Sequence, residues 1–410
     1  MKWMPLDGRQ SKLQNDRAAA NPSYCMNMIN PENFNLATAN QELLLKAALL
    51  SGKESVNAFR KWKDSYDWEE YLEPGSFRLL PLLYVNLHKQ GVDDPVMGKL
   101  KGIYRQAWSK NQTLFHEMAG VIGLLQRAGI KTMLLKGASL SLLYYKNNGS
   151  RPMADIDVLI PLKQTRLATD LLQKAGWTSP VPLTDMDISY GHAIQLSNSS
   201  GKEFDLHWRP FNGCRDEYEK DFWDGALPVK LANVNSLAPN PTDMLFHVII
   251  HGVVWNPVPP IRWIADAITM INSADFSIDW QRLAGLARKH HLGLRLKTGL
   301  QYLHDRFHPS IPPDVMKTVI NLPVSHLEKV EYRFMANSRE NESNSPYAAF
   351  CCHLCRFRRL NAGRGIVSAL TFSRSLQWRL NASNYGDLLF KGIRITADMF
   401  LSRPFQVRHR

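Results

Sequence analysis

The stretch RPMADIDVLI, residues 151–160, sets two aspartates one residue apart in an otherwise apolar run. Read as a strand, its side chains alternate between faces, so Asp155 and Asp157 stand side by side while Ile156 and Val158 turn toward packing. Two like charges at that spacing repel, and partial burial makes ionising both dearer. A cation between them removes the conflict. Hard divalent ions that take oxygen ligands, Mg²⁺ or Mn²⁺, are the natural candidates, and a pair of them can clamp the attacking and leaving oxygens of a phosphoryl displacement.

An isolated Asp-x-Asp arises by chance on exposed edge strands, so its neighbours carry the weight. Upstream, LLKGAS (134–139) places Lys136 and Gly137 between an apolar run and a helix. Backbone N–H groups at such a helix start cradle phosphate, and glycine lets the backbone come close. Lys136 and Arg151 add cations suited to phosphate oxygens. Downstream, KEFDLHW (202–208) is a further strand on which Glu203, Asp205 and His207 share a face.

Around these motifs the hydrophobic period changes twice. From ELLLKAALLSG (42–52) to LFHEMAGVIGLLQRAGI (114–130) apolar residues recur at three and four, a helical pattern with Gly129 as its stop. Residues 130–210 form an α/β island. There KTMLL and DIDVLI read as strands, GASLSLLYYKN and LKQTRLATDLLQKAG as helices, and YGHAIQLS with KEFDLHW as a hairpin around NSSG. Helical patterns then resume, the first opening at Pro241 and Thr242. This predicts a poorly ordered tail over 1–40, a helical domain over 41–126, an α/β core over 127–235 and a C-terminal helical domain over 236–410.

Composition narrows the class. With 410 residues, 44% of them hydrophobic, the chain can bury a substantial core. It shows no apolar run of membrane-spanning length and no signal-peptide segment, and its five cysteines are too few for a disulfide framework, so a cytoplasmic protein is expected. The net charge of +13 is concentrated: residues 351–410 carry eleven Lys/Arg against Asp387 and Asp398, a surplus of nine. Such a segment favours nucleic acid, an anionic surface or a phosphorylated substrate.

Four other signals carry less. His247 and His251 lie four apart on one helical face without the glutamate of a zinc protease motif, and read as a core or site-lining pair. CCHLC (351–355) is too tightly packed to close a tetrahedron around zinc. DMDIS (185–189) reads as a polar loop, and Arg262 with Asp266 as an ordinary i,i+4 ion pair.

The order strand, Lys-Gly turn, helix, Asp-x-Asp strand, helix, Asp-bearing strand resembles the nucleotidyltransferase superfamily that includes DNA polymerase beta. LLKGASLSLLYYKNNGSRPMADIDVLI, FDLHW and IRWIADAITMI more closely resemble a bacterial family of uncharacterised nucleotidyltransferases. The resemblance implies an α+β fold, a small mixed-sheet core flanked by helical domains. It implies metal ligation by Asp155, Asp157 and Asp205, with Asp205 preferred over Glu203 and able to take a proton from the acceptor. Gly137 and Ser139 would contact the triphosphate of an NTP such as ATP. The sequence departs from the family at Ala138, where Gly or Ser is usual. The implied activity is NMP transfer to a hydroxyl. Two rival readings are an Asp-x-Asp glycosyltransferase, opposed by the helical pattern of the preceding hundred residues, and a binding protein that keeps the fold and holds nucleic acid or another anionic partner.

Overall fold

The structure, a computed structural model, describes residues 36–66, 72–214, 218–253, 260–340, 346–361 and 368–401. Most of the tail expected over 1–40 lies outside them. The protein is α+β. Its sheet has six strands in the order β3-β4-β2-β1-β6-β5, with β1 at Met133–Leu134, β2 at Asp157–Leu159, β3 at Ala193–Ser197, β4 at Glu203–His207, β5 at Leu227–Leu231 and β6 at Val234–Ala238. β1 runs antiparallel to β2 and parallel to β6, and β2 runs parallel to β4.

Alternation along β2 and β4 decides what each face of the sheet does. Val158, Phe204 and Leu206 are fully buried against the helix Met97–Arg127, which contributes Leu114, Met118, Val121, Ile122 and Leu125 at helical spacing, and against Ala168 and Leu172 of the helix Thr165–Lys174. The intervening residues Asp157, Asp205 and His207 therefore project from the opposite face. Parallel pairing sets Asp157 opposite Asp205 and Leu159 opposite His207. The long helix ends as its sequence predicts, with Gly129 at φ 72°, a left-handed conformation that suits glycine.

Three sequence expectations need correction. The sheet does not stop near residue 210: the hairpin β5–β6 extends it, and β6 continues to Ala238, past the boundary drawn at 235. Asp155 lies outside β2. DMDIS is not a loop but the helix Asp185–Tyr190, where Thr184 and Asp187 form a capping box, so this second Asp-x-Asp caps a helix.

The polar face of the sheet is closed over by the later helices. The helix Pro241–Gly252 starts with Asn240 accepting from Asp243 N–H and with Pro241 in its first turn, and it packs against the helix Arg262–Ile271. No helix among the described residues is long and apolar enough to cross a membrane.

Candidate functional site

A cavity of about 520 Å³ lies between the polar face of the sheet and these helices. Its walls include Lys136, Gly137, Arg151, Asp155, Asp157 and Asp205. Six of the seven residues singled out in the sequence thus border one space; Ser139 does not. Ser139 is fully buried, with Oγ donating to the Lys136 carbonyl at 3.2 Å and lying 3.8 Å from Met244 Sδ.

The centre of the site is Asp157. Lys136 Nζ donates to its Oδ1 at 2.6 Å, and His207 Nε2 lies 2.9 Å from the same oxygen. Burial alone would push the Asp157 carboxyl up; the His207 contact, together with the charges of His207 and Lys136, outweighs it and holds the group far below the usual carboxylate range. Asp205, on the neighbouring strand, goes the other way. Burial raises its pKa first, the negative charges of Asp157 and Asp155 add to that, and His207 and Lys136 only partly offset them. The two facing carboxylates are thus shifted in opposite directions.

The ligating atoms of Asp157, Asp205 and His207 all lie within 4.8 Å of one another, one such group being found among the described residues. Two carboxylates and an imidazole converging from adjacent strands fit a divalent cation, whose charge would relieve the Asp157–Asp205 repulsion. Asp155 is half-buried, borders the cavity and acts on Asp205 through its charge, outside that converged trio. His207 is the residue that sequence reasoning undervalued. Its signal was available: it sits two residues after Asp205 on the same strand face.

The two cations expected at phosphate separate in the structure. Lys136 stands at the rim, with its φ at 43°, a conformation that costs a non-glycine residue roughly 1–2 kcal/mol and is tolerated where function needs it. Arg151 is instead buried and forks onto Asp266, Nε to Oδ1 and Nη2 to Oδ2, both at 2.8 Å, while Tyr145 Oη donates to Oδ1 at 2.9 Å. The Arg262–Asp266 pair read from i,i+4 spacing does not form. Arg262 Nη1 donates to the Pro152 carbonyl at 2.8 Å, and among the described residues no carboxylate lies within ion-pair distance of it. Burial first, then the nearby Arg151 charge, pushes the Arg262 pKa down to about 10.

Gly137 owes its place to space. A Cβ there would lie 2.6 Å from Arg151 Nη1 and 3.0 Å from Met153 Sδ, and Asp266 prevents Arg151 from yielding. Gly137→Ala is expected to cost about 1–3 kcal/mol through overpacking. A thermal melt unchanged from wild type would contradict this.

His247 is buried, neither ring nitrogen has a hydrogen-bond partner among the described residues, and burial holds its pKa well below the usual histidine value. His251, one turn on, is pushed down to about 4 by burial and then by Lys136. Both line the cavity as neutral rings. Cys351, Cys352 and Cys355 fall on the helix Pro346–Leu360, and no metal-ligating cluster is found there among the described residues.

The cleft thus brings together two strand-borne aspartates, a histidine within ligating reach of both and a Lys-Gly turn. The chain belongs to the family described as uncharacterised nucleotidyltransferase, whose model matches residues 64–308. Among solved structures it is similar to an antigenic nucleotidyltransferase-like protein from Paracoccidioides brasiliensis, at 17% identity over 52% of this chain and 94% of that one, with a TM-score of 0.32. No curated protein matches the chain.

Proposed function

We propose that the protein transfers a nucleoside monophosphate from an NTP to a hydroxyl of an acceptor, with Asp155, Asp157 and Asp205 as its acidic residues. The observation that carries this reading is the Asp157–Asp205 pair on neighbouring strands, with opposite shifts and a shared gap, in a chain of this family. Membership supports the class of reaction; the geometry supports the division of labour.

Asp157, held ionised, fixes the site. Asp205, with its raised carboxyl pKa, takes the proton from the attacking hydroxyl onto a carboxylate oxygen as that hydroxyl approaches the α-phosphate. A divalent ion, when bound by Asp157, Asp205 and His207, supplies charge neutralisation at the reacting phosphate. Lys136 at the rim and Arg262, a half-buried cation with no carboxylate within ion-pair distance among the described residues, are the groups placed to hold the triphosphate. Arg151 serves this wall indirectly, by fixing Asp266.

The decisive experiment incubates the purified chain with each labelled NTP, Mg²⁺ or Mn²⁺ and a cell extract, and then identifies the labelled species. Labelled acceptor and released pyrophosphate are expected with at least one nucleotide. No label from any nucleotide with either ion would sink the reading and leave a binding protein of nucleotidyltransferase fold.

A further inference from the structure

We propose that His207 is a direct nitrogen ligand of the catalytic cation, and that the site consequently selects a divalent first-row transition ion over Mg²⁺. This rests on the reading of the site as metal-dependent and goes beyond it by naming the class of ion.

The first argument is the orientation of the ring. His207 Nδ1 lies 3.4 Å from the Arg209 carbonyl oxygen. A carbonyl can only accept, so Nδ1 is the nitrogen that carries a hydrogen toward the backbone, and Nε2 is the one turned toward the carboxylates. Nε2 lies 2.9 Å from Asp157 Oδ1, an oxygen that also meets Lys136 Nζ at 2.6 Å. A backbone carbonyl behind one ring nitrogen and carboxylate oxygens before the other is the orientation that metal-bound imidazoles adopt.

The second argument is distance. Ligands at right angles on an octahedral ion with bonds of about 2.1 Å lie about 3.0 Å apart. The Asp157–His207 separation already matches. The whole trio spans up to 4.8 Å, so under an ångström of side-chain adjustment brings its most distant atoms within the roughly 4.2 Å that separates opposite vertices.

The third is rigidity. His207 is buried at the end of β4. The next residue, Trp208, donates its backbone N–H to the His192 carbonyl at 2.9 Å and its indole N–H to the Gly191 carbonyl at 3.1 Å. The imidazole is therefore presented by a fixed strand end. Nitrogen in place of a third oxygen ligand disfavours Mg²⁺, which prefers carboxylates and water, relative to borderline ions that accept imidazole.

The test uses the full chain and Mn²⁺ as its paramagnetic probe. Binding of Mn²⁺, and its competition by Mg²⁺, are measured by EPR, and directly coordinated nitrogen is sought by electron spin-echo modulation. Wild type is expected to bind Mn²⁺ at least about tenfold more tightly than Mg²⁺ and to show ¹⁴N coupling; His207→Asp is expected to lose the coupling and narrow the preference about tenfold. The wild-type spectrum decides the matter even if the variant fails to fold. Bound Mn²⁺ without ¹⁴N coupling, or no Mn²⁺ binding, overturns the proposal. ¹⁴N-coupled Mn²⁺ in a protein that transfers no nucleotide would uphold the ligand and sink the reaction instead.

Discussion

Asp157→Asn is expected to lower NMP transfer about a thousandfold or more, on the order of 4 kcal/mol of barrier, while the protein still folds. The residue is the node of the site: Lys136 and His207 both meet its Oδ1, and the sheet register sets it against Asp205. An amide of the same shape keeps the volume and removes the charge. It cannot counterbalance a divalent ion, and it leaves the Lys136 ammonium beside a neutral group. The raised pKa of Asp205 changes as well, because the Asp157 charge is one of its causes, second to burial. Removing that charge lets the Asp205 carboxyl ionise at lower pH and makes it a weaker base. The assay is labelled-nucleotide transfer, with circular dichroism melts of both proteins alongside. Activity within tenfold of wild type in a folded variant would refute the assignment.

The sequence made the centre of the site legible because its logic is local. Period-two alternation in KEFDLHW puts Asp205 and His207 on one face of their strand, and in DIDVLI it sets Asp157 apart from the core-facing Ile156 and Val158; that the two faces coincide rests on the parallel β2–β4 register. What it could not show depends on partners far along the chain. Asp155 leaves β2 because the segment before it is tied elsewhere: Asn111 Nδ2 donates to the Asn148 and Arg151 carbonyls at 2.6 and 2.9 Å, and Met153 N–H donates to Asn111 Oδ1 at 3.1 Å. Those bonds take the place of a ladder with β1. Asp266 likewise passes over the arginine one turn before it for Arg151, 115 residues away, because a planar guanidinium meets a buried carboxylate through two bonds at once. The β5–β6 hairpin was hidden differently. Pro228 lies inside LPVKL, and the turn uses Ala232 at φ 49° where glycine or asparagine would have signalled it.

The basic C-terminal segment reads differently once its partners are visible. Arg356 and Arg359 turn inward, with Arg295, onto a single buried carboxylate, Glu331, at 3.4, 3.0 and 3.3 Å. Arg359 Nη1 also donates to the His290 carbonyl at 2.8 Å. Part of the charge that suggested an external polyanion is therefore structural cement between the helices Gly293–Phe307, His326–Glu340 and Pro346–Leu360, and Arg295 and Arg356 carry it to the cavity wall. Exposed Arg358, Arg374 and Arg379 remain available to an anionic partner.

Removal of that carboxylate is expected to have the largest effect on stability: Glu331→Gln should cost about 3–5 kcal/mol at neutral pH, because three guanidinium groups lose the charge that compensates their burial. The pH dependence gives the signature. Burial raises the Glu331 pKa, but Arg359, Arg295 and Arg356 outweigh it and bring the group from 4.5 down to about 2. A carboxyl lowered on folding contributes stability that is complete above its unfolded pKa, here 4.5, and is lost as pH falls toward the folded value, here about 2. The span corresponds to about 3 kcal/mol. Wild type should therefore lose stability between pH 5 and pH 2 faster than Glu331→Gln, and the gap between the two should shrink by about that amount. Urea denaturation of both proteins at intervals across this range measures it. Parallel curves would show that the arginines do not hold Glu331 ionised, and a variant as stable as wild type at pH 7 would show that the cluster does not hold the three helices together.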